Sequence, residues 1–192
     1  LATCLQTLNG SNKFGKVISE IKSLGYTILP PDINASSDVW VYSEERKGFV
    51  PPLTAIKGVG DSAVSEIMEN RPFENLDQML FTEDGKWRPS KMNKTCFDSL
   101  CKVEAFGSLE ELQRKKIRNH HQLHEIIVGN YDLLKKGRHG MTKTAAKKLM
   151  KQNGHVPEFI PGKIIEAYDL SDWSRVEKIS TFLDLMSGVD AD

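Results

Sequence analysis

Residues 53–67 read LTAIKGVGDSAVSEI, and this stretch decides the fold of the chain around it. Two glycines enclose one apolar residue in Gly58-Val59-Gly60, between segments whose apolar residues have helical spacing. Glycine tolerates a positive φ and, without a Cβ, lets another surface come close. The pattern therefore predicts a short helix, a tight turn and a second helix, with Val59 turned inward and the small Ala63 at the helix crossing.

The start of the second helix predicts a site for an anion. The first N–H groups of a helix have no intrahelical acceptor, and the helix dipole adds positive potential there. A phosphate oxygen suits such a place, and a turn of this kind contacts the DNA backbone rather than base edges, so we expect little sequence preference. The residues predicted to contact DNA here are Lys57, Gly58, Val59, Gly60, Asp61 and Ser62.

The composition is that of a soluble globular protein, with 39% hydrophobic and 27% charged residues among 192. No apolar run approaches the ~18 residues of a membrane span. Cys4, Cys96 and Cys101 show no CxxC spacing, which favours a reduced, cytoplasmic setting without a zinc site. The chain opens on Leu1 without a basic segment before an apolar run, so we expect no signal peptide and a start inside a longer protein.

The net charge of zero conceals an asymmetry. Residues 1–112 carry 12 Lys and Arg against 16 Asp and Glu, whereas residues 113–151, the basic block, carry 11 against 2, and residues 152–192 carry 3 against 8. A basic block between acidic segments indicates an anionic partner, although a solvated basic surface remains the alternative. Beside a phosphate-binding turn we prefer a track for duplex DNA. The further predicted contacts are Lys94, Arg114, Lys115, Lys116, Lys143 and Lys147.

The periodicity along the chain predicts a mainly α fold with a small β-hairpin and a tandem helix-hairpin-helix DNA-binding domain. We divide it into residues 1–50, 51–112, 113–155 and 156–192. The predicted elements are a helix over 13–24 ended by Gly25, a β-hairpin over 39–50, a helical zone over 52–70, helices capped by Asn75 and Asn93, helices over 109–134 and 142–152, a linker at 156–162 and a helix over 174–186.

Three further stretches, together with the hairpin, resemble the family C replicative polymerases, the bacterial DNA polymerase III alpha subunits. LGYTILPPDINAS at 24–36 resembles the junction that leaves the fingers domain, and the sequence over 49–80 is similar to the first helix-hairpin-helix of the family. MNKTCFDSLCKVEAFGSL at 92–109 resembles its degenerate second unit, and 173–188 is similar to the helix that follows. The resemblance implies a duplex-binding segment whose partners are the DNA backbone and the remaining polymerase domains or chains.

Two departures from the family pattern lie in the second unit. Glu104 stands where the family usually has glycine, and Gly107 stands where it usually has aspartate. We therefore expect the second hairpin to support the first without gripping phosphate. The family's catalytic aspartates lie in a palm domain upstream, so the resemblance implies no catalytic residue, metal or cofactor in this segment, with Mg²⁺ expected in the palm of a full polymerase; whether the chain serves an enzyme is left open.

Two other functions stay open at this point. A repair enzyme, such as a glycosylase or nuclease, would need an acid near the hairpin, and Asp77 is in the neighbourhood. A protein-binding scaffold is the other alternative. We predict a solvated or DNA-facing group of histidines that lacks a third metal ligand, and a set of packing residues. The histidines are His120, His121 and His124; the packing residues are Trp40, Met79, Leu80, Trp87, Cys96, Cys101 and Trp173.

Overall fold

The structure is a computed structural model that describes residues 2–8, 14–141, 143–154 and 170–186. The predicted linker at 156–162 and the side chain of Lys143 lie outside this part, and the four-part division of the chain stays a prediction. The helices are α1 Ala2–Leu8, α2 Phe14–Ser23, α3 Asp61–Asn70, α4 Leu76–Leu80, α5 Lys94–Lys102, α6 Glu110–Gln113, α7 His120–Ile127, α8 Tyr131–Leu134, α9 Lys143–Asn153 and α10 Arg175–Leu185, and the strands are β1 Thr27–Ile28, β2 Val41–Ser43 and β3 Gly48–Val50.

The predicted β-hairpin is confirmed and gains a third strand. β2 and β3 pair antiparallel, and β1 pairs parallel with β3, so the strand order is β1-β3-β2. Gly25 ends the preceding helix with a φ of +85°, as predicted. The sheet and the first two helices enclose a small core that lies apart from the main one: Leu5, Ile18, Ile21, Trp40 and Phe49.

The main core belongs to the tandem helix-hairpin-helix and the helices that follow it. Trp87 packs its ring against Phe81, Phe97 and Tyr131, with centroids 5.6–6.3 Å apart. Trp87 is partly buried, whereas Phe81 and Phe97 are fully buried, and each fully buried side chain contributes about 1.5–3 kcal/mol through removal of apolar surface from water. Burial raises the pKa of the Cys96 thiol to about 12, so it stays protonated as a core filler. The predicted buried positions Met79, Leu80, Cys96 and Cys101 are confirmed.

Two of the predicted helices are wrong in extent. The helical zone over 52–70 opens with only a short 3₁₀ turn, Leu53–Ala55, because the chain must turn at Gly58 before α3 begins. The helix predicted over 109–134 is three separate helices, since Lys115 has a φ of +59° and Asn119 caps α7 through its side chain.

The remaining helix predictions hold. The side chains of Asn75 and Asn93 cap α4 and α5. Gly154 closes α9 with a φ of +71°, and Ser174 starts α10 in a capping box with Glu177. The fold class, mainly α with a small sheet, is confirmed. Within the described ranges, no helix is long and apolar enough to cross a membrane.

Candidate nucleic-acid interface

The turn of the first hairpin depends on glycine at position 58. Gly58 has a φ of +87°, and a Cβ placed there would lie 2.8 Å from Ser99 Oγ and 3.2 Å from Thr95 Cγ2. Both the backbone conformation and the space therefore exclude a side chain. Val59 follows with only 5% of its surface exposed, and its N–H donates to the Ile56 carbonyl at 3.1 Å. The prediction that Val59 turns inward to hold the hairpin is confirmed.

Gly60 differs from Gly58 in what the fold asks of it. It is the N-cap residue of α3 with a φ of −83°, and a Cβ there would meet nothing within 4 Å. Gly58 therefore uses the positive φ that glycine permits, whereas Gly60 does not. Because the fold would accept a side chain at Gly60, the absence of one leaves an open surface above the start of α3.

Four backbone N–H groups at this open surface have no acceptor in the described part of the chain. They belong to Gly58, Gly60, Asp61 and Ser62, and all four residues are exposed. The intrahelical bonding of α3 starts one residue later, where the N–H of Ala63 donates to the Gly60 carbonyl at 2.9 Å. A helix N-terminus with exposed, unengaged N–H groups is a binding place for an anion.

The charges around this turn are mixed. Lys57 precedes the turn and is exposed, and Lys94 directly precedes Thr95, which packs on Gly58. Lys94 is therefore next in the chain to a residue that contacts the hairpin, and its contact with DNA stays a prediction. Asp61 contributes one negative charge in the first turn of α3, and together with Asp38 it lines an open groove of about 430 Å³ along that helix. Its backbone N–H is the predicted donor, whereas its carboxylate opposes an anion.

The second hairpin unit keeps a glycine-like backbone without the glycine. Glu104 has a φ of +60°, a left-handed conformation that costs a residue with a Cβ about 1–2 kcal/mol. Its carboxylate lies 2.5 Å from Lys178 Nζ of α10. The turn geometry of the motif is therefore present at Glu104, and its side chain is engaged with the protein itself.

One donor and one acceptor of the second unit are engaged by other parts of the chain. The N–H of Glu110, at the start of α6, donates to the Glu74 carbonyl at 2.7 Å. This N–H is therefore not available to a phosphate oxygen. Ile33 donates to the Ala105 carbonyl at 2.7 Å. These contacts, here called the seal, close part of the second hairpin with groups of its own chain.

Asn34 is a residue of this seal whose role the sequence did not predict. Its Nδ2 donates to the Phe73 carbonyl at 2.8 Å and to Ser108 Oγ at 2.9 Å, and its Oδ1 accepts from the Phe73 N–H at 2.7 Å. Asp32 turns the chain by accepting from the N–H groups of Asn34 and Ala35. The stretch PPDIN was the available signal, but its long-range partners cannot be read from it.

The basic block divides into engaged and exposed cations. Arg114, the C-cap residue of α6, pairs with Glu110 at 2.6 Å but is exposed, as are Lys115 and Lys116. Lys147, Lys148 and Lys151 are exposed on α9, a helix that gives no described residue to either buried cluster. These positions leave an extended phosphate track open as a prediction.

Arg138 of the basic block is committed to a structural contact. Its guanidinium donates to both carboxylate oxygens of Asp77, at 3.0 and 2.6 Å. The backbone N–H of Arg138 donates to the Gly85 carbonyl at 2.8 Å. A bidentate pair of this kind fixes orientation. Asp77, the acid considered for a repair enzyme, is thus engaged in a structural ion pair with Arg138.

The histidines were predicted to be solvated or to face DNA, and that prediction is wrong. His121 stacks on Trp173 with ring centroids 5.0 Å apart, and its Nδ1 lies 2.8 Å from the Ser171 carbonyl oxygen. His124 Nε2 lies 2.7 Å from Asp98 Oδ1. Burial lowers the pKa of His120 below its ordinary value. Among the described residues, no group of three or more His, Cys, Asp or Glu has the geometry of a metal site.

Comparison with known proteins agrees with this geometry. Residues 25–117 match the family model of the helix-hairpin-helix motif. The chain is 32% identical over 120 residues to the DNA polymerase III subunit alpha of Chlamydia pneumoniae, which is 60% of this chain and 9% of that protein. It is 36% identical over 114 residues to the same subunit of Aquifex aeolicus, with 59% and 10% covered. For Staphylococcus aureus the identity is 41% over 109 residues, with 56% and 10% covered.

This chain spans about a tenth of the length of the curated relatives it matches. The matched family model spans both hairpin units. The resemblance identified from the sequence is therefore confirmed for this segment.

Proposed function

We propose that this chain, whose helix-hairpin-helix segment is similar to DNA polymerase III alpha subunits, is a DNA-binding segment of a replicative DNA polymerase that grips the backbone of duplex DNA without sequence preference. The observation that carries the proposal is the set of exposed N–H groups at the first hairpin, which have no acceptor in the described part of the chain. They lie at a helix N-terminus above the open surface of Gly60.

Phosphate is the ligand that this arrangement fits. A phosphate oxygen accepts several N–H bonds at once, and the α3 dipole favours its charge. Lys57 and Lys94 add mobile positive charge next to the turn. Because phosphates are the same at every base pair, such contacts fix the position of a duplex and carry no sequence information.

The exposed cations of the basic block extend the proposed contact. Lys147, Lys148 and Lys151 lie on α9, and Lys115 and Lys116 follow the second hairpin. Each phosphate neutralised by such a residue releases counterions and steepens the dependence of affinity on salt by about 0.9 in the log–log slope. We assign these residues to a track along the duplex.

In this proposal the segment holds the duplex behind the active site of a polymerase and thereby aids processivity. We assign it no catalytic residue and no metal ligand, and nucleotide transfer with its Mg²⁺ belongs to a palm domain in the remaining polymerase domains or chains. The place of action is the cytoplasm.

Titration of the chain with fluorescent duplexes of unrelated sequence tests the proposal. Between about 50 and 200 mM salt we expect equal affinity for the different duplexes and a steep salt dependence. Gly60→Asp should lower the affinity at least about tenfold, because a carboxylate would then occupy the phosphate position, while aspartate is a favourable N-cap that keeps α3 intact. Absence of duplex binding at low salt, or an unchanged affinity in Gly60→Asp, would overturn the proposal.

The track on α9 is tested separately. Replacing Lys147, Lys148 and Lys151 together by glutamine should lower the salt slope by about 0.9 for each lost phosphate contact. Arg46→Gln is the control, since Arg46 is an exposed cation in the turn between β2 and β3. An equal slope in the triple variant and in the control would remove α9 from the interface and leave the hairpin.

A further inference from the structure

Residues 170–186, here called the clasp, touch both hairpin units, and at the first unit they bind the two residues, Ile56 and Lys57, that lead into the proposed phosphate-binding turn. The N–H of Lys57 donates to the Leu185 carbonyl at 2.7 Å, and Ile56 forms an antiparallel bridge with Met186. Met186 is only 1% exposed and belongs to the main core. The clasp therefore fixes the two residues directly before Gly58.

The segment that leads into the turn depends on its contacts with the clasp. The helix before it is a single 3₁₀ turn of three residues, Leu53–Ala55, and one turn of helix has little stability of its own. On the other side the turn is supported by α3, which is ten residues long. The direction of the Gly58 N–H thus depends on contacts that the clasp provides.

At its other end the clasp is attached to the second unit and to α7. Lys178 pairs with Glu104 and with Asp172. The side chain of Asn119 donates to the Leu170 carbonyl at 2.8 Å, and Trp173 stacks on His121. One segment therefore joins the sealed hairpin to the open one.

The clasp is held less firmly than the helices of the core. Helix α10 has no fully buried side chain of its own, and Val176 and Ile179 are 78% and 50% exposed. A segment with few buried apolar contacts opens more readily than the core. Its docked state is therefore an equilibrium that a ligand at the hairpin can shift.

We propose that the clasp presets the first hairpin for phosphate, with Met186 and Lys178 as positioning residues, so that docking of the clasp and binding of duplex DNA strengthen each other. The inference rests on the proposed function for its ligand. By thermodynamic linkage, a clasp that favours duplex binding must itself be stabilised by the duplex to the same extent.

Duplex affinity of the full chain tests the first half of this coupling. Met186→Asp, which places a charge in the core contact beside Ile56, should weaken duplex binding about 5- to 100-fold, the usual size of coupling between two sites. Val176→Asp is the matched control, since it makes the same kind of change in the clasp at an exposed position. Met186→Leu, which keeps the contact apolar, should bind duplex with the affinity of the unmodified chain.

One further variant and one further measurement distinguish loss of the clasp contact from unfolding of the chain. Lys178→Met keeps the stem of a half-exposed side chain and removes its ion pairs, and it should weaken binding about two- to fivefold. Hydrogen exchange at the Lys57 amide should accelerate in Met186→Asp and not in Val176→Asp.

Reciprocity gives a readout that a merely structural clasp would not move. Duplex DNA should slow amide exchange over residues 175–186 in the unmodified chain and leave it unchanged in Gly60→Asp. If the unmodified chain binds duplex but exchange over 175–186 does not respond, or if Met186→Asp binds as the unmodified chain does, the clasp proposal is wrong.

Failure of the proposed function would look different. If the unmodified chain binds no duplex, the proposed function fails, and with it the coupling to DNA. The positioning of the hairpin by the clasp is then decided by the Lys57 amide alone: unchanged exchange there in Met186→Asp overturns it as well.

Discussion

The turn of the first hairpin, at Gly58, and the turn of the second, at Glu104, both place one residue in the left-handed region. They differ in where the backbone groups of the following helix go. At α3 the N–H groups of Asp61 and Ser62 find no acceptor in the described part of the chain, whereas at α6 the N–H of Glu110 donates to the Glu74 carbonyl. The first turn is open, and the second is partly closed by contacts within the chain.

This difference shows that the motif alone does not make a binding site. A helix N-terminus needs acceptors, and they come either from the same chain or from a ligand. In the second unit the Glu74 carbonyl accepts from the Glu110 N–H, and the Asn34 side chain donates to Ser108 Oγ nearby. Two units with the same motif can thus differ in role, one binding phosphate and the other supporting the first. This difference can be tested.

The largest effect is expected where the fold itself requires glycine. Gly58→Ala should destabilise the chain by at least about 2 kcal/mol, because it adds the cost of a left-handed alanine to an overlap with Ser99 Oγ at 2.8 Å. Gly107→Ala should stay within about 0.5 kcal/mol, since the nearest atoms are 3.9 and 4.0 Å away. Urea unfolding of both variants measures the contrast, and equal losses would contradict it.

The next effect tests the seal of the second unit. Asn34→Ala removes three hydrogen bonds and leaves partners at Phe73 and Ser108 without them, so we expect a loss of about 2–3 kcal/mol in the free energy of unfolding. Hydrogen exchange over residues 103–109 should accelerate more than exchange over 58–62. A uniform acceleration over both hairpins would mean that Asn34 does not act on the second unit in particular.

A smaller change is expected from giving the second hairpin its glycine. Glu104→Gly relieves about 1–2 kcal/mol of left-handed strain and removes a pair with Lys178 worth about 0–1 kcal/mol, so the free energy of unfolding should rise slightly or stay unchanged. Duplex affinity should not rise, because the Glu110 N–H remains occupied by Glu74. A gain of several-fold in affinity would show that Glu104 alone keeps the second hairpin from DNA.

The charge of Asp61 gives a modest effect with opposite signs. Asp61→Asn should tighten duplex binding a few-fold at low salt, since it removes a negative charge beside the phosphate. The same change should lower the free energy of unfolding by about 0.3–1 kcal/mol, because an acidic residue in the first turn favours the helix dipole. An affinity that is unchanged at low salt would place phosphate elsewhere than at the start of α3.

The smallest effect concerns pH at the junction of the clasp and α7. Burial lowers the pKa of His120, which faces Glu104, Asp172, Lys178 and Asp32, below the ordinary value of 6.5. The unfolded chain therefore binds a proton that the folded chain does not, so stability should fall as the pH drops below about 6.5. Urea unfolding at several pH values should show a shallower slope in His120→Gln; an equal slope would assign the pH dependence to other groups.

Much of the fold was predictable because local chemistry decides it. The glycine turn at Gly58, the caps at Asn75 and Asn93 and the stop at Gly25 follow from rules that act within a few residues. The helix predicted over 109–134 failed at Lys115, since a left-handed lysine has no sequence signal. The hairpin residues were likewise predictable as a candidate site.

What the sequence could not provide was the set of long-range partners. Asn34 is 74 residues from Ser108, and Lys57 is far along the chain from Leu185, so periodicity carries no information about either contact. The departure at Glu104 led to the expectation that the second hairpin does not grip phosphate, which stays a prediction, but the contacts that the chain makes there could not be read from the sequence. His121 was misjudged for the same reason, since its partner Trp173 lies on a distant segment.

The comparison of the two hairpins is tested most directly by one pair of substitutions read by duplex affinity. Gly60 and Gly107 both have room for a Cβ, so alanine at either position should leave the fold intact, which circular dichroism verifies. We predict that Gly60→Ala weakens binding of a duplex at least about fivefold, roughly 1 kcal/mol, and that Gly107→Ala leaves it unchanged. Equal losses in the two variants, or a loss confined to Gly107→Ala, would contradict the assignment of the grip to the first hairpin.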